Sequence, residues 1–299
     1  MTKKEKKIIP RETPIFKCGF VTMVGRSNSG KSTLLNTLIG TKLAAVTHKP
    51  QTTRDVIHGA LNTPEGQAIF IDTPGILKER HNSLAGKLTE RAEEALQDVD
   101  VALYVVDPTK AIGPEERYIL SALRKLDFPK ILIINKSDLP EKEKTYLNDY
   151  KNLDEGFTAV FELSALYNRH IQPLKEKVFE LLPEGHPMYE GDQITNMGKG
   201  HWIAEVIREK LLLALRKEVP YTINVEVRNI EEKPDIVVIE AVILTYDSKY
   251  KKMIIGAGGR SLKEIGIAAR KELATALNKK VYLELEVETD KHWEERLLK

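Results

Sequence analysis

A single cysteine, Cys18, occurs in 299 residues. An intramolecular disulfide framework is therefore excluded, and a reducing compartment is suggested. The thiol lies inside the first apolar segment and reads as a small core residue rather than a reactive group. Nowhere do enough apolar residues run together to span a membrane, which takes roughly 18 or more. The basic opening, MTKKEKKIIP, lacks the apolar stretch of a secretory signal. Net charge is scarce too. With 46 Lys+Arg against 44 Asp+Glu, the formal charge is only +2, so any affinity for nucleic acid must come from a local patch. The 7 histidines and the cysteine show no metal-ligand spacing. No Ser/His/Asp set, paired carboxylates or internal repeat stands out.

What is present is enough chain for two domains, with 41% hydrophobic and 30% charged residues indicating a soluble globular protein. Residues 1–15 form a basic tail without periodicity. From residue 16 to about 182, apolar runs at 16–24, 56–61, 67–72, 101–107, 130–135 and 158–163 alternate with helical patterns at 31–39, 83–97, 114–126, 141–151 and 171–182. That alternation predicts an α/β fold with a mixed, mostly parallel sheet. Asn62 to Gly66 suggest a hairpin and hence one antiparallel edge. Residues 183–200, rich in glycine and proline, read as a linker. The remaining 201–299 change order to α-β-β-α-α-β, a smaller α+β unit: a helix at 201–217, strands at 221–229, 236–245 and 281–288, a short helical turn near 248–255 and a helix at 261–277.

The segment Gly25 to Ser32, GRSNSGKS, follows an apolar strand and opens a helical pattern. Two glycines, then Lys and Ser at P-loop spacing, make a backbone cradle for phosphate at a helix N-terminus. The expected nucleotide contacts are Gly25, Ser27, Asn28, Ser29, Gly30, Lys31, Ser32 and Thr33. Within that set, Lys31 reaches the β- and γ-phosphates and Ser32 offers its hydroxyl to Mg²⁺. DTPG ends the third strand, placing Asp72 at the metal and the Gly75 N–H at a γ-phosphate. NKSD follows the fifth strand, with Asn135, Lys136 and Asp138 expected at the base. A carboxylate at Asp138 can accept from both N1–H and the 2-amino group of guanine. Adenine would leave it unpaired, a mismatch that hydrogen-bonding sites reject by about 10⁴. Ser164, Ala165 and Leu166 come next, with the Ala165 N–H available to guanine O6.

In the second unit, SKYKKMIIGAGGRSLK (248–263) holds five basic residues and no acidic one, although 201–299 as a whole has 18 Lys+Arg against 17 Asp+Glu. Charge is thus concentrated around one glycine loop, which points at phosphate. Gly256-Ala257-Gly258-Gly259 after Ile-Ile, between two helices, resembles the GxxG signature of KH domains, which hold about four single-stranded nucleotides over an apolar groove. The expected RNA contacts are Lys249, Lys251, Lys252, Ile255, Gly256, Ala257, Gly258, Gly259, Arg260 and Lys263.

GRSNSGKS, QTTRD, DTPG, NKSD and SAL in this order resemble the five boxes of GTPases. With a type II KH arrangement behind them, the chain from about Phe16 onward resembles the Era family. The resemblance implies a GTP-hydrolysing switch using GTP/GDP and Mg²⁺, and single-stranded RNA as partner, namely the 3′ end of 16S rRNA during assembly of the 30S subunit. It also implies a cytoplasmic location with loose, peripheral attachment to the inner membrane. It makes 41–55 and 73–90 the switches, with Thr53 completing the Mg²⁺ shell and Thr52 as the alternative. Ile76 replaces the water-orienting glutamine of Ras-type GTPases, so slow intrinsic hydrolysis is expected. In the related potassium-stimulated class, an asparagine placed like Asn28 coordinates K⁺, so the same role is expected here. The expected catalytic set is therefore Lys31, Asn28, Thr53 and Gly75. The competing reading is a constitutive RNA-binding protein with a structural, poorly hydrolysing G domain; NKSD argues against an ATP-dependent enzyme.

Overall fold

A computed structural model describes residues 16–49, 52–74, 94, 98–153, 156–190, 193–216 and 218–297. The first unit is a six-stranded sheet of β1 (Lys17–Val24), β2 (Ile57–Thr63), β3 (Gly66–Asp72), β4 (Val101–Val106), β5 (Lys130–Ile134) and β6 (Ala159–Glu162). The spatial order is β2-β3-β1-β4-β5-β6. Every neighbouring pair is parallel except the β2–β3 hairpin. β4 is buried along its whole length, as a strand covered on both faces requires. Helices α1 (Lys31–Ile39) and α4 (Ile171–Leu181) share one core with the sheet through Leu34, Leu38 and Leu174. α2 (Pro114–Leu123) packs on the opposite face. Because β3 and β4 flank β1 on opposite sides, the strand order reverses at β1. A crevice opens there, beyond the strand's carboxyl end.

The second unit begins with α5 (Lys199–Ala214) and continues through β7 (Ile223–Glu232), β8 (Ile236–Thr245), α6 (Ser248–Ile255), α7 (Arg260–Leu277) and β9 (Lys280–Thr289). Its sheet runs β7-β8-β9, antiparallel then parallel. Ile203, Ile207 and Leu211 of α5 and Ile265, Ala269 and Leu273 of α7 fill one face.

One expected element needs correction, and two features were not foreseen. The helix expected over 141–151 is a 3₁₀ turn at Glu141–Glu143 and a separate α3 (Leu147–Lys151). Between them the Tyr146 N–H donates to the Pro108 carbonyl at 3.0 Å, which takes that residue out of a helical ladder. The segment 183–200, expected as a linker, is strapped along much of its length to the β2–β3 side of the sheet. Ala60 N–H donates to Ile194 O, and buried Gln67 accepts from the Met188 and Tyr189 N–H groups while donating to Tyr189 O. Finally, a short α8 (Trp293–Leu297) follows β9, and Trp293 buries itself on Val242 and Leu244. No helix among the described residues is long and apolar enough to cross a membrane.

Candidate functional site

The P-loop occupies the crevice at β1. Gly30 has φ 102°, and a Cβ there would lie 2.1 Å from Asn135 Nδ2; one on Gly25 would lie 2.3 Å from the Val105 carbonyl. Only glycine permits so close an approach. Lys31 is buried and donates to the carbonyls of Gly25 at 3.0 Å and Arg26 at 3.2 Å. Loss of water pushes its amine down to about 8, against the opposing pull of Asp72. Ser27, Gly30, Lys31, Ser32 and Thr33 line a cleft with Asn28, whose left-handed φ of 65° turns its amide to donate to His48 O at 2.8 Å. Ser29 is buried behind this wall.

Three oxygens converge at the cleft floor. Ser32 Oγ donates to Asp72 Oδ2 at 2.6 Å and lies 2.8 Å from Thr53 Oγ1, which is 3.5 Å from the same carboxylate oxygen. Asp72 is fully buried and its Oδ1 has no hydrogen-bond partner. Burial raises its carboxyl pKa, opposed chiefly by Lys31. Two hydroxyls beside a buried carboxylate with an unpaired oxygen make a donor set of the hard-oxygen kind that Mg²⁺ takes. Thr52 faces elsewhere: its hydroxyl donates to Lys49 O at 2.7 Å and contacts Thr47 Oγ1. Gly75, Ile76 and the rest of the second switch to residue 90 lie outside the described residues.

At the base end, Asn135 Nδ2 donates to Ser29 O at 2.9 Å, and its Oδ1 accepts the Ala165 N–H at 3.0 Å. Asn135 therefore ties NKSD to both the P-loop and SAL. The expectation of a free Ala165 N–H is corrected accordingly: that donor already has a partner, and reaching a base oxygen requires sharing or exchange. Asp138 Oδ1 accepts from Ser164 Oγ at 2.5 Å, while Lys136 pairs with Asp107 at 2.5 Å. Leu166 is 69% exposed beside them, an apolar flank for a ring.

The first switch is docked rather than merely solvated. Lys42 pairs with Glu209 of α5 at 2.7 Å and Glu272 of α7 at 2.5 Å, and the Val46 N–H donates to Glu209 at 2.8 Å. Lys49 caps the carbonyls of Leu212 and Leu215. Arg208, fully buried, donates to the Thr52 carbonyl and forks onto Glu205. Although burial pulls down the pKa of its guanidinium, Glu205 together with Asp55 and Glu209 outweighs that and leaves it raised. None of these α5 residues was singled out in the sequence, since charged residues on a helix read as a solvated face.

Between α6 and α7, Gly256, Gly258 and Gly259 have φ 73°, 59° and 75°. A Cβ on Gly256 would meet Ser261 Cβ at 2.8 Å, whereas Gly258 and Gly259 face open space. Ala257, Lys249, Lys252, Arg260 and Lys263 are exposed around the turn and Lys251 is half-buried. Ile255 is half-buried and packs against the domain core. A groove of about 440 Å³ continues from Gly259 between α7 and β9, over Leu262, Gly266, Ile267, Arg270, Leu283 and Leu285. These residues were missed. The i, i+4 spacing of Leu262, Gly266 and Arg270, read with the alternation in β9, was the available signal.

Comparison with known proteins agrees with this geometry. The 50S ribosome-binding GTPase family model matches residues 20–136, and the KH-domain model matches 218–294. GTPase Era of Thermoanaerobacter sp. (strain X514) is 45% identical over 282 residues, covering 93% of this chain and 92% of the relative. GTPase Era of Caldanaerobacter subterraneus subsp. tengcongensis is 43% identical over 290 residues, covering 95% and 97%.

The chain belongs to the Era family of GTPases.

It is accordingly a GTPase carrying a KH domain, and the reading of the G domain as purely structural falls away. Two solved structures resemble it along almost its whole length. Both a crystal structure of an Aquifex aeolicus Era variant bound to GDP·AlF4⁻ and one of Era with MgGDPNP and nucleotides 1506–1542 of 16S ribosomal RNA give a TM-score of 0.87 at 36% identity, covering 94% of this chain and 96% of theirs.

Proposed function

We propose that this GTPase is a nucleotide-driven switch acting on the 3′ end of 16S rRNA during assembly of the small ribosomal subunit. The supporting observation is the continuity of the GxxG turn and its apolar groove in a chain alike, end to end, to an Era solved with that RNA segment. Residues 16–182 and 201–299 are the two working units, and the strapped segment 183–200 joins them.

Within the G domain, Ser32 and Thr53 would hold Mg²⁺ directly and Asp72 through water. The ion supplies charge neutralisation on the β- and γ-phosphate oxygens. Lys31 exchanges its two loop carbonyls for phosphate oxygens, and the Gly75 N–H bonds the γ-phosphate. Asp138 reads guanine at N1–H and the 2-amino group, and Asn135, Lys136, Ser164, Ala165 and Leu166 frame the ring. Asn28 would offer K⁺ its amide oxygen, its amide nitrogen being the donor to the His48 carbonyl at 2.8 Å. Faster turnover in KCl than in NaCl is expected, and equal rates would remove the K⁺ role.

Fluorescence anisotropy of a labelled oligonucleotide of the 16S 3′ end tests the main reading. Binding at least about tenfold tighter than to a scrambled sequence, a gap of ~1.4 kcal/mol, is expected, with a further gain for a GTP analogue over GDP. Identical affinities across sequences and nucleotides would overturn it.

A further inference from the structure

Three consecutive residues of the first switch are each held from a different side. The Thr53 hydroxyl faces Ser32 and Asp72 of the G domain. On one flank the Thr52 carbonyl accepts from Arg208, and on the other Arg54 donates to the Ile223 carbonyl at 2.9 Å with its guanidinium 5.3 Å from the Trp293 ring centroid. Arg208, Ile223 and Trp293 all belong to the RNA-binding domain.

The peptide joining Thr52 to Thr53 is a rigid plane. A donor that fixes the Thr52 carbonyl therefore fixes the axis about which Thr53 turns, and with it where its hydroxyl points. Arg208 suits that task, being fully buried and locked by Glu205 through Nε at 2.6 Å and Nη2 at 2.5 Å. A planar fork held this way loses little freedom in making a further bond.

We propose that Arg208 is a positioning residue for GTP hydrolysis: from the RNA-binding domain it holds the Thr52–Thr53 peptide so that Thr53 faces the metal before metal and nucleotide arrive. This rests on the assignment of Thr53 to Mg²⁺ made above. The G domain site is then complete only while α5 is docked against it. Any partner that lifts α5 slows hydrolysis without touching the nucleotide.

The test uses the full chain with Arg208→Gln, Arg208→Lys, Glu205→Gln and Thr53→Ala. Readouts are GTP turnover, the Mg²⁺ concentration for half-maximal rate, GDP affinity, and hydrogen exchange of the 52–55 amides in the nucleotide-free protein. Arg208→Gln should lower kcat by about tenfold or more, as a misplaced ligand does, with GDP affinity within about twofold. It should also raise the Mg²⁺ midpoint several-fold and speed exchange at 52–55 without nucleotide. Arg208→Lys should recover part of the loss, keeping charge and a donor but not the fork. If Arg208→Gln does not fold, Arg208→Lys and Glu205→Gln should show the same pattern more weakly. Folded variants with wild-type kcat, Mg²⁺ midpoint and exchange would overturn the proposal. If Thr53→Ala alone shifts the Mg²⁺ midpoint, Arg208 is merely structural; if Thr53→Ala shifts nothing, the metal assignment fails and this inference with it.

Discussion

Lys31 carries a charge where water cannot reach it. Its amine is pushed down to about 8 in the nucleotide-free protein, while an unfolded lysine stays near the ordinary 10.5. Between those values the unfolded chain binds more protons, so this residue's contribution makes the nucleotide-free protein more stable as pH rises from 8 toward 10.5. Triphosphate beside the amine restores its charge. Calorimetry at pH 8 in buffers of different ionisation enthalpy should therefore detect uptake of about half a proton on GTP binding. Near pH 6.5 that uptake should be absent, and Lys31→Met should abolish it at pH 8. At the base end, Asp138→Asn keeps the shape but removes the second acceptor and the charge. With two charge-assisted bonds at stake, GTP affinity should fall by about 10²–10⁴ in a nucleotide competition assay.

At the scale of elements, the turn joining α6 to α7 combines open backbone with surrounding cations. Ala257 and Gly258 face solvent, and Gly258 has no atom within 4 Å of where a Cβ would go. Ala257→Asp with Gly258→Asp should thus cut RNA affinity by about tenfold or more through repulsion of phosphate. Thermal stability should fall only modestly, by about 1 kcal/mol for the left-handed φ of 59° that Asp must take at 258, whereas Gly256→Asp should unfold the turn against Ser261. Each lysine bound to a phosphate adds about −0.7 to the slope of log affinity against log salt for a single strand. Lys263→Ala should therefore make that slope shallower by about that amount. His201 on α5 pairs with Asp55 at 3.4 Å, and that hydrogen bond raises its pKa. The contact is fully formed below the ordinary 6.5 and lost as pH rises through the higher folded value, loosening the first switch from α5 on the alkaline side.

The molecule as a whole is joined by polar ties rather than by one continuous core. Its two main apolar clusters are separate, and the loop 42–54 on α5 together with the strap on Gln67 connects the units. Gln67→Leu should leave the part-buried N–H groups of Met188 and Tyr189 without this acceptor. A loss of about 2–3 kcal/mol in urea unfolding is expected. Two features were legible in the bare sequence, the phosphate cradle and the glycine turn inside a basic window. Both depend on local spacing and on backbone conformations that few residues can adopt. Even the alternation of strands and helices follows from short-range pattern. What only the tertiary structure decided was long-range pairing. Thr53, not Thr52, faces Ser32 and Asp72, Asn135 takes up the Ala165 N–H, and the segment expected as a linker runs along the β2–β3 side of the sheet. Lys42 meets Glu209 across 167 residues of chain, and the Thr52 carbonyl meets Arg208 across 156. A charged side chain looks the same in sequence whether it faces water or a carbonyl from another domain, because its partner is set by packing and not by neighbours along the chain.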